Sequence, residues 1–154
     1  MGYVEDHLMV GEEVTYRAHL HWVIYLRAVL LGALALALVA AGYAWPDLKG
    51  LTLIGGVLLA VAVVVWLAAW VKARTSEFAV TNKRVIIKVG LIRRATLELL
   101  LSKVESVGVD QTITGRIVGY GTITVVGTGG TREPFRDIAR PMDFRKHVQA
   151  RALA

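Results

Sequence analysis

The sequence predicts an α+β membrane protein: a two-helix transmembrane hairpin followed by an antiparallel β-barrel or sandwich with a C-terminal capping helix. Three observations carry that prediction. Two nearly pure hydrocarbon runs, Ala28 to Trp45 and Leu51 to Val71, are separated only by Pro46-Asp47-Leu48-Lys49-Gly50. From Ser76 onward, short alternating segments are punctuated by turn residues. Pro141 then opens a helical pattern that runs to about Arg151.

Neither hydrocarbon run contains a charge. A bilayer core of about 30 Å needs about 20 apolar residues at about 1.5 Å each, and the two runs come close to or reach that length. The Ala/Leu alternation over Ala33 to Leu38 has a strand period, but an open strand leaves its backbone unsatisfied in lipid, so helix is expected. The spans are set at about 22–45 and 51–71. Trp22, Tyr25 and Arg27 are placed at headgroup depth at the start, with Arg27 snorkelling. Tyr43 and Trp45 form the opposite belt, Pro46 ends the first helix, and Trp66 and Trp70 mark the return. Ala33, Ala37 and Ala41 line up at i, i+4, i+8, and with Gly55 and Gly56 they are expected to allow close helix packing. No Asp, Glu, His, Lys or Arg lies at mid-bilayer, which argues against a proton relay, an ion pathway or a transporter site.

Mean hydropathy is +0.54 and 55% of residues are hydrophobic, too oily for a soluble protein of this length. Residues 1–71 carry three Lys/Arg against five Asp/Glu, and residues 72–154 carry fifteen against seven, so the net +6 is −2 plus +8. Arg17 and Arg27 precede the first span and Lys72, Arg74, Lys83 and Arg84 follow the second, while the connection holds a single Lys49. Both termini are therefore expected on the cytoplasmic side of the membrane, in a multi-pass chain. The basic half suits a leaflet of anionic lipid. Met1 to Val14 is acidic and lacks a basic n-region, so it does not read as a cleaved signal peptide. The absence of cysteine excludes disulfides and thiolate metal sites.

Residues 1–21 read as a cytoplasmic or interfacial segment, and 72–154 as a cytoplasmic β-domain. Ser76 to Val80 and Arg84 to Val89 form a hairpin around Thr81-Asn82-Lys83. Val85, Ile87 and Val89 would face a core and Arg84 and Lys88 water. In Ala95 to Leu101 the inward residues are Leu97, Leu99 and Leu101, with Thr96 and Glu98 outward. Lys103 to Gln111 is a further strand, and Thr112 to Gly119 interrupts. Gly121 to Val126 resumes the alternation, and Gly127-Thr128-Gly129-Gly130 turns into Thr131 to Phe135. Gly119 and Gly121 flank Tyr120 where the chain re-enters a strand, a place for positive φ or close approach.

Several blocks resemble the membrane-flanked bacterial PH domain family, often called bacterial PH domain 2 or YdbS/YdbT-like. They are Gly11-Glu12-Glu13 ahead of His19-Leu20-His21-Trp22, the hairpin, and Glu77-Phe78-Ala79-Val80-Thr81-Asn82-Lys83-Arg84-Val85. Further blocks are Val109-Asp110-Gln111, Arg116, Gly119-Tyr120-Gly121-Thr122-Ile123 and the Pro141 helix. The resemblance implies a PH-like barrel on the cytoplasmic face, with a binding or assembly role and no established catalysis.

Lys83, Arg84, Lys88, Arg93 and Arg94 form the densest basic set and are the candidate lipid- or partner-binding residues. His19 and His21 lack a third ligand nearby, so interfacial packing is expected of them rather than metal binding, and no cofactor is expected. Glu12 and Glu13 could cap the next helix or pair with Arg17. No nucleophile and base arrangement suggests an enzyme. Nucleic acid is disfavoured because the aromatics sit mainly in the membrane belts. The expected role is an adaptor or accessory subunit of a membrane protein complex. The alternative is selective binding of an anionic lipid headgroup.

Overall fold

The structure, a computed structural model, describes residues 3–90, 95–130 and 132–152. The chain divides into two compact units, residues 1–21 with 73–154, and residues 22–72.

In the second unit a 3₁₀ turn over Trp22–Tyr25 leads into a long helix, Leu26–Ala44, and another helix follows at Gly50–Thr75. A short first helix, α1, occupies Tyr3–Asp6, so these are α2 and α3 in chain order. The connection is a single 3₁₀ turn at Pro46–Leu48. The residues buried between α2 and α3 are Ala28, Ala35 and Gly42 on one helix and Gly55 and Ala62 on the other. This corrects part of the small-residue expectation. Ala33 and Ala37 are exposed, and a Cβ added to Gly56 would meet open space. The buried small residues of α2 recur at a spacing of seven, with Gly32 and Val39 also at the contact between them. Gly55 does sit in it, since its added Cβ would lie 2.7 Å from Val39 Cγ2 and 2.9 Å from the Ala35 carbonyl. Gly42 meets Thr52 as closely. Tyr25 and Trp66 face each other with ring centroids 6.2 Å apart.

Among the described residues, the first unit holds two antiparallel sheets, two short helices and a longer C-terminal helix. One sheet has the order β1-β2-β3-β4, from Val14–Ala18, Glu77–Thr81, Arg84–Val89 and Ala95–Leu100. The other has the order β5-β6-β7, from Val104–Asp110, Tyr120–Gly127 and Arg132–Ala139. A short helix α4, Ile113–Val118, joins β5 to β6, and α5 spans Pro141–Ala152. The sheets meet where the continuation of β1 bridges β7 at Leu20 and Ile138. Among the described residues they do not close into a barrel, because β4 and β5 remain as edges. The core lies between the sheets, with Phe78, Val85 and Ile87 from one and Ile123, Val125 and Phe135 from the other, and Phe144 and Val148 of α5 fill it. Phe78 and Phe135 pack edge to face at 6.1 Å.

Val85 and Ile87 point inward with Val89 packed beside them, as do Leu97, Leu99 and Leu101. The outer face of β2 and β3 is not open to water, however. Val4, helped by Tyr3, Leu8 and Val14, covers Ala79 and Ile86. A strand buried on both faces loses its alternation, which is why Ile86-Ile87 is apolar at both phases. A bulge between Val14 and Tyr16 changes the phase of β1, sending Val14 to this outer layer and Tyr16 to the core. Residues 3–21, within the stretch expected as a cytoplasmic or interfacial segment, thus supply a strand and a strap to the sheets. The long apolar segment is inserted between β1 and β2, which pair across it with Ala18 opposite Phe78.

Candidate functional site

Arg84 opens β3 with its neighbour Val85 committed to the core, so its side chain takes the outer face, beneath residues 7–12. There it is buried. Its Nε donates to Glu12 Oε1 at 2.9 Å and its Nη2 to Glu12 Oε2 at 3.1 Å. Nη1 donates to Glu98 Oε2 and Nη2 to the His7 carbonyl, both at 2.6 Å. The Met9 amide donates to Glu12 at 2.8 Å, and the Thr81 hydroxyl stands 2.8 Å from Glu12 Oε1. That hydroxyl also accepts from the amides of Arg84 and Lys83. Burial alone would push the Glu12 carboxyl up, but the hydrogen bonds from Arg84, Met9 and Thr81 outweigh it and hold the group below its ordinary value. Arg84 is held above its ordinary value, chiefly by its hydrogen bond to Glu12.

The geometry corrects two sequence expectations. Arg84 does not face water, because the strap closes over it. Glu12 does not pair with Arg17, which instead binds Glu5 at 2.9 Å. The strap is further pinned where the Glu77 carboxylate accepts from the amides of Tyr3 and Val4. The cluster therefore acts as a latch that fastens the N-terminal segment to the sheet.

Among the described residues, Lys83, Arg84 and Lys88 do not share one pocket. Lys83 sits in the β2–β3 turn and donates through Nζ to the Val10 carbonyl at 2.8 Å. Lys88 lies five residues along β3, roughly 16 Å away at the strand rise, with its Nζ 4.5 Å from the centre of the Tyr3 ring. Arg93 and Arg94 lie outside the described residues. Of the residues expected to anchor at a membrane interface, Trp22, Tyr43, Trp45, Trp66 and Trp70 are exposed aromatics on the second unit. Tyr25 is half-buried there, and Arg27 is exposed near the start of α2.

What the sequence did not reveal is one end of the first unit, where the chain leaves after His21 and returns before Ser76. Leu20 bridges Ile138, the His21 amide donates to the Asp137 carbonyl, and the Ala139 amide to the His19 carbonyl. A cleft of about 380 Å³ in this unit is lined by Tyr16, Arg17, Ala18, His19, Ala139 and Arg140. His19 and His21 do not converge on a ligand, since His21 stacks on Tyr120 at 5.4 Å while His19 lines the cleft. Tyr16 stacks on His147 at 4.2 Å, and burial, reinforced by Asp143, raises its hydroxyl pKa. Among the described residues, no three His, Cys, Asp or Glu are grouped to hold a metal ion. No spacing could have announced this end, because its parts come from residues more than 100 positions apart.

Gly119 and Gly121 fall where the turn needs them. Gly119 has φ 90° and ends α4, and a Cβ on Gly121 would stand 2.7 Å from the Asp110 carbonyl. The sheet order, the inward alternation and the α5 plug are the frame on which these residues hang.

A comparison with curated proteins finds no match, and one with solved structures finds none either. The family model described as bacterial PH domain matches residues 18–152, a stretch that runs from the end of β1 through both long helices to the last residue of α5. The match covers most of the chain, and the chain belongs to the bacterial PH domain family.

Proposed function

We propose that this chain is a membrane-anchored, non-enzymatic interaction module, an adaptor or accessory subunit of a membrane protein complex at the cytoplasmic face of a bacterial inner membrane. The observation that carries the reading is the surface of the two long helices. Trp22–Ala44 and Gly50–Thr75 have mean hydropathies of 2.4 and 2.6 over their most apolar windows, yet only 11% of each window is buried within the protein. A core helix of a soluble protein would bury that surface. Helices this apolar and this bare need an apolar solvent, and both are long enough to span one. The positive balance of 72–154 and the single Lys49 in the connection support cytoplasmic termini. Membership of the family supports an interaction role over a catalytic one. Tethering to a bilayer raises the effective concentration of the domain toward other membrane proteins.

A selective headgroup pocket centred on Lys83, Arg84, Lys88 and Arg93 is the weaker reading, because Arg84 is committed to Glu12 and Glu98 and Lys83 and Lys88 stand apart. Purification of the full chain from its native membranes in mild detergent distinguishes the two. The adaptor reading expects a stable complex with a second membrane protein in fixed proportion. A chain that is stable by itself and recovers only lipid contradicts it.

A further inference from the structure

The domain end around His21 carries a feature that neither the latch nor the core accounts for. Helix α4 exposes Ile113 at 83% and Ile117 at 80%, on a unit whose other large apolar side chains are mostly inside. At a spacing of four they share one face. The exposure is built, not frayed. Thr112 Oγ1 accepts from the Gly115 amide at 3.0 Å, the Gly119 amide closes the helix on the Gly115 carbonyl at 2.8 Å, and Gln111 Nε2 donates to the Tyr120 carbonyl at 2.9 Å. Gly115 cannot be larger, since a Cβ there would stand 2.7 Å from that same carbonyl. The short helix is thus clamped to the first residue of β6.

Its position follows from contacts within the same unit. Tyr120 stacks on His21, the residue before Trp22, where the first long apolar helix region begins. The Gly119 carbonyl accepts from the amide of Arg140, which is held at φ 49°. Arg116 on α4 is also exposed. So two bare isoleucines and two arginines stand at the end of the domain from which the chain departs into its long apolar segment.

From this juxtaposition we propose that α4 is a bilayer-contacting wedge: Ile113 and Ile117 enter the headgroup and acyl boundary of an anionic leaflet, with Arg116 and Arg140 at phosphate level. The inference rests on the reading that α2 and α3 span a bilayer. Lipid fits this face better than a protein partner for two reasons. Aliphatic side chains flanked by arginine suit the interface between acyl chains and phosphate. A protein hot spot would favour an aromatic anchor in a fitted pocket, and α4 presents a convex aliphatic tip. Connection through His21 also keeps α4 close to the membrane surface without any affinity of its own, so a modest apolar area suffices to hold it there.

The chain has no cysteine, so single thiols can be introduced for a fluorescent NBD label without background. The full chain is reconstituted in phosphatidylcholine and phosphatidylglycerol vesicles as three variants, Ile117→Cys on the wedge, Val57→Cys on the exposed flank of α3, and Thr128→Cys in the β6–β7 turn. The turn lies seven steps along β6, roughly 25 Å from Tyr120. Quenching is read with nitroxide-labelled lipid and with aqueous iodide. The wedge predicts lipid quenching at 117 that approaches the value at 57 and exceeds that at 128 several-fold. Quenching by lipid at 57 with 117 open to iodide overturns the wedge while leaving the bilayer hairpin intact. Shielding of 117 from iodide without lipid quenching assigns the face to a protein and also overturns it. Absence of lipid quenching at both 57 and 117 overturns the wedge and the hairpin together.

Discussion

Arg84 holds two carboxylates and a backbone carbonyl at the start of β3, and its partner Glu12 has a side chain with no accessible surface. Removing one member of such a pair strands the other as a buried charge, at a cost of about 3–5 kcal/mol. Arg84→Ala should therefore lower the melting temperature of the full chain in detergent far more than Lys83→Ala or Lys88→Ala does. Equal losses at the three positions would show that Arg84 is not buried as described. Acid should act on the same group. Because the folded state holds the Glu12 carboxyl below its ordinary 4.5, its contribution is complete above that value and is lost as pH falls beneath it. Stability should decline on acidification below about 4.5, and Glu12→Gln should remove part of that decline. At this scale the sequence was least informative. The turn Thr81-Asn82-Lys83 and the phase of Val85 could be read, but not the partner of Arg84, which sits 72 residues away beyond the apolar segment.

Elements were more legible because their signals are local. Length and charge identified both long helices, alternation identified the inward faces of β3 and β4, and Pro141 marked the start of α5. Two features escaped for a shared reason: each depends on what lies across from it. The helix contact uses Ala28, Ala35 and Gly42, and only the partner helix decides which small residues are covered. Gly55→Val should accordingly loosen the hairpin by about 1–3 kcal/mol through the clash with Val39 and Ala35, while Gly56→Val, in open space, should leave it unchanged. Resistance to proteolysis in detergent reads the difference, and the reverse order would restore the spacing-of-four contact. The strap is the second feature. A chain lacking residues 1–13 loses the cover over Ala79 and Ile86 and leaves Arg84 without Glu12. It should lose cooperative unfolding, whereas Val10→Ser, at a 99% exposed site of the same strap, should be silent.

For the whole molecule, the consequence is topological. Because β1 precedes the long apolar segment and β2 follows it, the domain cannot be cut at residue 72 without losing a strand, the strap and the latch. The insertion is tolerable because closing a longer loop adds little, about 0.6 kcal/mol per doubling, and because antiparallel neighbours β1 and β2 bring its two ends together. The β-rich half was legible as strands, yet its openness between β4 and β5 and its dependence on residues 1–21 were not, since pairing across an intervening segment leaves no periodic trace. The proposed anchoring of this domain by the inserted helices fixes which segment lies on each side of the membrane, and labelling in intact cells reads that sidedness. With no native cysteine, Asp47→Cys in the helix connection and Thr128→Cys in the β6–β7 turn can be probed with a membrane-impermeant maleimide. Anchoring with both termini cytoplasmic requires labelling at 47 in spheroplasts and at 128 only after lysis. Labelling of both positions only after lysis, or of 128 before lysis, would contradict it.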